Sequence, residues 1–138
     1  MSRLLLDTSA YSALFRGDEL ARQALRTADE VYLTPVVIGE LLSGFGGGRR
    51  RAASEAGLRD FLAEPRVRVA AIDEETSVRY AVIVGSLSKA GTPIPTNDVW
   101  IAASAMQHGL EVLTADAHYA RVPQIVVRAL GASRDAAA

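Results

Sequence analysis

Cysteine is absent from the 138 residues, which removes disulfides, thiolate metal ligands and a catalytic thiol together. Any metal is left to oxygen or to one of the two histidines. Lysine is almost as scarce: Lys89 stands alone, so arginine supplies 14 of the 15 cationic side chains. The guanidinium fork pairs well with phosphate, although a coding bias toward arginine produces the same count. Net charge is also missing. The formal value of -1 argues against a protein that grips nucleic acid by bulk positive charge. No apolar run approaches the roughly 20 residues of a membrane-spanning helix. The opening MSRLLLD reaches a carboxylate after three leucines, too soon for a signal-peptide core. A cytoplasmic protein without a membrane association is expected. No repeat at a period of 20 to 50 residues is visible, and no interior linker divides the chain.

What is present is an apolar fraction of 49%, enough for one domain with a single core. Short segments rich in Val, Ile and Leu read as strands: RLLL before Asp7, then Val31 to Thr34, Val67 to Ile72, Glu111 to Thr114 and Gln124 to Val127. Stretches with helical spacing lie between them, at Asp18 to Ala28, Val36 to Phe45, Ala52 to Ala63, Glu74 to Ala90 and Asp98 to His108. Alternating strands and helices, with crossovers too long for hairpins, predict a parallel sheet covered on both faces. GFGGGRRR, from Gly44 to Arg51, is expected to break a helix and form a mobile loop. Residues 1–130 are expected to form the domain and 131–138 a frayed tail.

In an open parallel sheet, ligands collect outside the carboxyl ends of the strands. Asp7 follows RLLL directly, and Asp116 follows EVLT after one alanine. Asp98 shares a helix face with Ile101, Ala102 and Ala105, the face a helix normally buries. Glu40 borders an apolar face formed by Val36 and Val37. Each has a bland alternative: Asp7, Asp98 and Asp116 suit helix N-caps, with Asn97 competing at Asp98, and Glu40 suits a tolerated helical surface. Asp73 is the control. It follows a strand too, but EET and an apolar-periodic helix come next, so it reads as a structural cap.

If the four acids converge, repulsion must be answered. Two unit charges 4 Å apart repel by about 4 kcal/mol at an effective dielectric of 20, so such carboxylates either take up protons or need a counter-ion. Hard oxygen ligands suit Mg²⁺, with Mn²⁺ as substitute, and such ions activate water toward a phosphodiester.

LLLDTSAYSAL, PVVIGELLSG, NDVWIAASAMQHGLEVLTADAHY and VPQIVV, in order and across nearly the whole chain, resemble a PIN-domain ribonuclease of the VapC toxin type. The resemblance implies a three-layer α/β fold in which helices flank a central parallel sheet of four or five short strands. It also implies a ribonuclease toxin that uses Mg²⁺ or Mn²⁺ to cut RNA, forms a homodimer and is neutralised by a cognate VapB-type antitoxin. By position, Asp7, Glu40, Asp98 and Asp116 match the family's acidic, metal-binding and catalytic quartet. Ser9 and Thr114 match polar positions that orient those ligands. Arg49, Arg50, Arg51 and His118 are candidate RNA contacts, with Arg66 and Arg68 along the approach. Tyr11, Leu14, Phe15 and Trp100 are candidates for core or dimer surface.

The rival from another class is a non-catalytic PIN-like binding or regulatory module whose acids serve as caps and partner contacts. Aspartyl-phosphate chemistry fits poorly, because the second residue after Asp7 is Ser9 and Lys89 closes a helix. A P-loop fails as well, since GFGGGRRR lacks a lysine followed by Ser or Thr. His108 and His118 lie too far apart in the chain to suggest an acid-base pair.

Overall fold

The computed structural model describes residues 1–131. Its first strand, β1 (Arg3–Leu6), buries Leu4, Leu5 and Leu6 completely. Side chains alternate across a strand, so three enclosed leucines in a row require cover on both faces. Each contributes roughly 1.5–3 kcal/mol of burial, which makes this strand the natural centre of the core. Four further strands, β2 (Glu30–Leu33), β3 (Val67–Val69), β4 (Glu111–Thr114) and β5 (Val126–Ala129), complete a parallel sheet in the order β3-β2-β1-β4-β5. Leu5 pairs with Tyr32 on one side and with Val112 on the other.

Six helices flank the sheet: α1 (Thr8–Phe15), α2 (Glu19–Thr27), α3 (Pro35–Gly44), α4 (Gly48–Leu62), α5 (Glu74–Ala90) and α6 (Thr96–His108). A short 3-10 helix spans Ala117–Arg121. The expected parallel α/β architecture is therefore present. From β1 the chain first builds outward through β2 and β3, then returns to the other side of β1 for β4 and β5. That reversal places the switch point of the sheet between β1 and β4, beyond whose carboxyl ends ligands of such sheets bind.

Local chemistry sets the helix starts. Thr34 caps α3 by accepting from Val37 N–H, and Pro35 follows at the first turn, where its missing donor does no harm. Asp73 forms a reciprocal capping box with Thr76 at the start of α5, and Gln107 adds a bond from α6. Its role is structural, as expected.

The structure corrects the glycine-arginine stretch. Only Phe45 to Gly47 separate α3 from α4, so Arg49, Arg50 and Arg51 lie in the first turn of a helix and not in a mobile loop. Gly47 is the extended cap residue, and Gly48 takes a φ of 61°, which only glycine adopts freely. Arginine is a good helix former, so the helix starts as soon as the glycines end. Arg51 also reaches back to Phe45 O at 3.3 Å and forward to Glu55 at 3.5 Å. Strand limits shift too: Thr34 is a cap, β3 ends at Val69 with Ala70 N–H still bonded to Leu33 O at 2.8 Å, and β5 starts at Val126. The expected tail lies, apart from Gly131, outside the described residues. Among the described residues no helix is long and apolar enough to cross a membrane.

Candidate metal-binding site

Asp7 leaves β1 at the switch point and caps α1, accepting from Ala10 N–H at 2.8 Å. Its carboxylate is almost wholly buried. Ser9 Oγ lies 2.8 and 2.9 Å from its two oxygens, and Thr114 Oγ1 donates to Oδ2 at 2.6 Å from the end of β4. Both hydroxyls also accept: Ser9 from Ala115 N–H and Thr114 from Asp116 N–H, each at 2.9 Å. Ser9 and Thr114 thus knit the exits of β1 and β4 into one network around Asp7.

Asp98 lies in the first turn of α6, leaning inward as its spacing predicts, with a side chain only 16% exposed. It caps nothing. The cap position is Pro95, and neither Asn97 nor Asp98 takes that role. Tyr119, fully buried in the 3-10 helix, donates its hydroxyl to Asp98 Oδ1 at 3.2 Å. His118 Nδ1 lies 3.0 Å from Asp98 Oδ2 and 3.0 Å from Asp116 Oδ1. Asp116 itself caps the 3-10 helix through His118 N–H. Asp98, Asp116 and His118 each offer an atom within 4.8 Å of the others, the grouping among the described residues suited to a metal ion.

Glu40 reaches the same end of the sheet from the second turn of α3. Thr8 Oγ1 donates to Oε1 at 2.5 Å and Asn97 Nδ2 to Oε2 at 3.1 Å. Thr8 adjoins Asp7 and Asn97 adjoins Asp98, so Glu40 is bonded to the neighbours of both acids. The four predicted acids therefore gather at one end of the sheet, with Asp98 and Asp116 in the tightest group.

Burial pushes the Asp7 carboxyl above its ordinary value, against the hydrogen bonds from Thr114, Ala10 and Ser9, and nearby Asp116 adds to the push. Asp98 is raised as well, first by burial and then by Asp116, while His118 and Tyr119 pull it back. The Tyr119 hydroxyl is held far above its usual range by burial and by the surrounding carboxylates. Among the described residues no arginine or lysine forms an ion pair with any of the four acids. A partly buried carboxylate cluster lacking an arginine or lysine partner, rich in hard oxygen donors, fits a divalent metal ion. Capping does not compete with that role at Asp116, since an ionised carboxylate has about four lone-pair sites and the cap uses one, whereas Ser9 and Thr114 take further sites at Asp7.

Other candidates lie elsewhere. Arg66 donates to the carbonyls of Leu25 and Ala28, tying down the end of α2, and Arg68 pairs with Glu30 at 3.2 Å. Neither pairs with any of the four acids. Arg49 and Arg50 are exposed. Tyr11 is buried, Leu14 is partly buried against the core and Trp100 stacks on Tyr80. Phe15 is 54% exposed. It stacks on Tyr11 with ring centres 4.5 Å apart, beside an apolar cleft of about 400 Å³ that Leu41 and Phe45 also line. Thr8, Asn97 and Tyr119 escape a reading based on charge alone. A hydroxyl or amide beside each acid is the signal that finds the first two.

The PIN domain family model matches residues 4–125. The chain is 33% identical over 129 residues to Ribonuclease VapC4 of Mycobacterium tuberculosis, covering 91% of this chain and 95% of that protein. It is 29% identical over 128 residues to Ribonuclease VapC of Rickettsia bellii, covering 90% and 93%. Among solved structures, VapBC2 from Rickettsia felis bound to a promoter DNA fragment superposes with a TM-score of 0.80 at 18% identity, covering 93% of this chain and 98% of that one. DNA-bound VapBC from Salmonella typhimurium gives 0.80 at 23% identity, covering 94% and 98%.

Proposed function

The chain belongs to the PIN-domain family, and from that premise we propose that it is a ribonuclease toxin of the VapC type that hydrolyses RNA phosphodiester bonds with Mg²⁺ or Mn²⁺. The observation that carries this reading is the gathering of Asp7, Glu40, Asp98 and Asp116 at the switch point, two of them raised by burial and none paired with an arginine or lysine among the described residues. A divalent cation, when bound, supplies a more acidic water and a countercharge for the phosphodiester. Asp7, Glu40, Asp98 and Asp116 would hold it.

The remaining work falls to the chain itself. Ser9 and Thr114 fix the Asp7 carboxylate by donating to both its oxygens. Tyr119 fixes Asp98 from the buried side and leaves Oδ2 to His118. Thr8 and Asn97 fix Glu40 and thereby tie α3 to the starts of α1 and α6. Such supporting bonds commonly change metal affinity or activity by about 10–100-fold. Arg49 and Arg50, one helix along from Glu40, would contact the phosphate backbone of RNA and give binding its salt dependence.

The partner is a cognate VapB-type antitoxin, in keeping with the VapBC complexes that share this fold. An apolar antitoxin segment would cover Phe15 in the cleft between α1, α3 and α4, and a basic one would neutralise the acids. The toxin would act in the cytoplasm as a homodimer. Co-expression with the neighbouring reading frame, purification, and sequencing of RNA ends with and without Mg²⁺ tests the reading. Defined cleavage sites that vanish with chelator and with the bound antitoxin are expected. RNA ends that do not depend on Mg²⁺ overturn it.

A further inference from the structure

One donor in the cluster is not an oxygen. His118 Nδ1 lies 3.0 Å from a carboxylate oxygen of Asp98 and 3.0 Å from one of Asp116. Building on the proposal that these acids hold a divalent cation, we propose that His118 is a ligand of that cation through Nδ1, and that this imidazole tilts the site toward Mn²⁺ over Mg²⁺.

Three features of the site support this. Neighbouring ligands in an octahedral shell with bonds of about 2.1 Å lie about 3 Å apart, so Nδ1 already stands in a ligand position relative to both oxygens. The backbone holds it there: His118 N–H donates to Asp116 Oδ1 at 2.9 Å, and the 3-10 helix turns the ring back onto the carboxylate two residues earlier. Tyr119, the next residue, occupies the opposite oxygen of Asp98 and leaves Oδ2 to face the ring. As for selectivity, carboxylate and water suit Mg²⁺ and Mn²⁺ alike, whereas an imidazole nitrogen is a ligand for first-row transition ions, Mn²⁺ being the weakest-binding of them, and is a poor one for Mg²⁺, which takes oxygen. An all-carboxylate centre lacks this preference. In the ligand role Nδ1 presents its lone pair and Nε2 carries the hydrogen, at a ring 37% exposed.

The competing role for His118 is a stand-in cation that a metal must displace, and the two roles predict opposite effects. Calorimetric titration of Mn²⁺ and of Mg²⁺ into the wild type, His118→Ala, His118→Gln and Asp98→Asn separates them. Pulsed EPR of the Mn²⁺ complex reads nitrogen coordination directly. The expected result is a loss of Mn²⁺ affinity of about tenfold or more in His118→Ala, with Mg²⁺ changed far less, and loss of the ¹⁴N coupling seen in the wild type. His118→Gln, which keeps size and polarity, is expected to retain Mg²⁺ binding and lose the preference. Absence of ¹⁴N coupling in the wild type, an unchanged Mn²⁺ to Mg²⁺ ratio, or tighter binding of both ions without the ring overturns the inference. A wild type that binds neither ion, or an Asp98→Asn variant that binds as well as the wild type, overturns the metal-site reading itself.

Discussion

Glu30 and Glu111 begin their strands while Asp7 and Asp116 follow theirs, so one sheet carries carboxylates at both ends. At the amino ends they are answered by arginine: Glu30 by Arg3 at 3.0 Å and Arg68 at 3.2 Å, Glu111 by Arg128 at 2.8 Å. At the carboxyl ends, hydroxyls, an amide and one imidazole take that place. The ionisation equilibria follow. Arg3 holds the Glu30 carboxyl below its ordinary value, and burial holds Asp7 and Asp98 above theirs. One end of the sheet is neutralised within the chain; at the other, the proposed function assigns that part to a cation from outside.

The strongest way to break this contrast is to remove a charge at each end. Asp98→Asn is expected to lower RNA cleavage by on the order of 10³-fold, since a bound cation's charge stabilisation is worth several kcal/mol, and Glu30→Gln is expected to leave cleavage unchanged. Single-turnover rates at saturating Mg²⁺ check both. A smaller effect is expected from Thr114→Val, which keeps the shape but removes the 2.6 Å bond to Asp7 and the acceptor for Asp116 N–H. Divalent affinity measured by calorimetry should fall by about 10–100-fold in a protein that remains folded.

The smallest effect sharpens the contrast through stability, read as melting midpoints in chelator across pH. A carboxyl raised in the folded state costs stability once ionised; the cost is absent below the ordinary aspartate value of about 3.9 and grows as pH rises through the folded value. Asp98→Asn should therefore melt a few degrees above the wild type at neutral pH, with the gain vanishing in acid. Glu30 has the opposite sign. Its lowered value stabilises the fold above the ordinary glutamate range and ceases to do so as pH falls, so Glu30→Gln should melt lower at neutral pH and match the wild type in acid. Slopes of the same sign in both variants would remove the distinction between the two ends.

Much of this was open to reading along the chain. RLLL followed by Asp gives a buried strand and an acid at its exit, because both facts are local. Asp98 leans inward because helical spacing fixes which residues share its face, and Asp73 is a cap because its Thr76 partner lies three residues on. The arginines after Gly48 form a helix where a loop is expected, since glycine signals a break but not how soon a helix resumes. Tyr119 gave no sign of its part: nothing near it in sequence reveals that its hydroxyl meets Asp98, 21 residues away.

Composition and periodicity were enough to indicate the layers, to exclude thiol chemistry and to single out candidate acids, because each depends on residue type and on spacing within one element. Which acids meet, how Ser9 and Thr114 reach Asp7 and that His118 stands between two acids were decided by the parallel pairing of β1 with β4 at the switch point. Electrostatic repulsion and hydrogen bonding act over a few ångströms in space, and only the folded chain sets those distances.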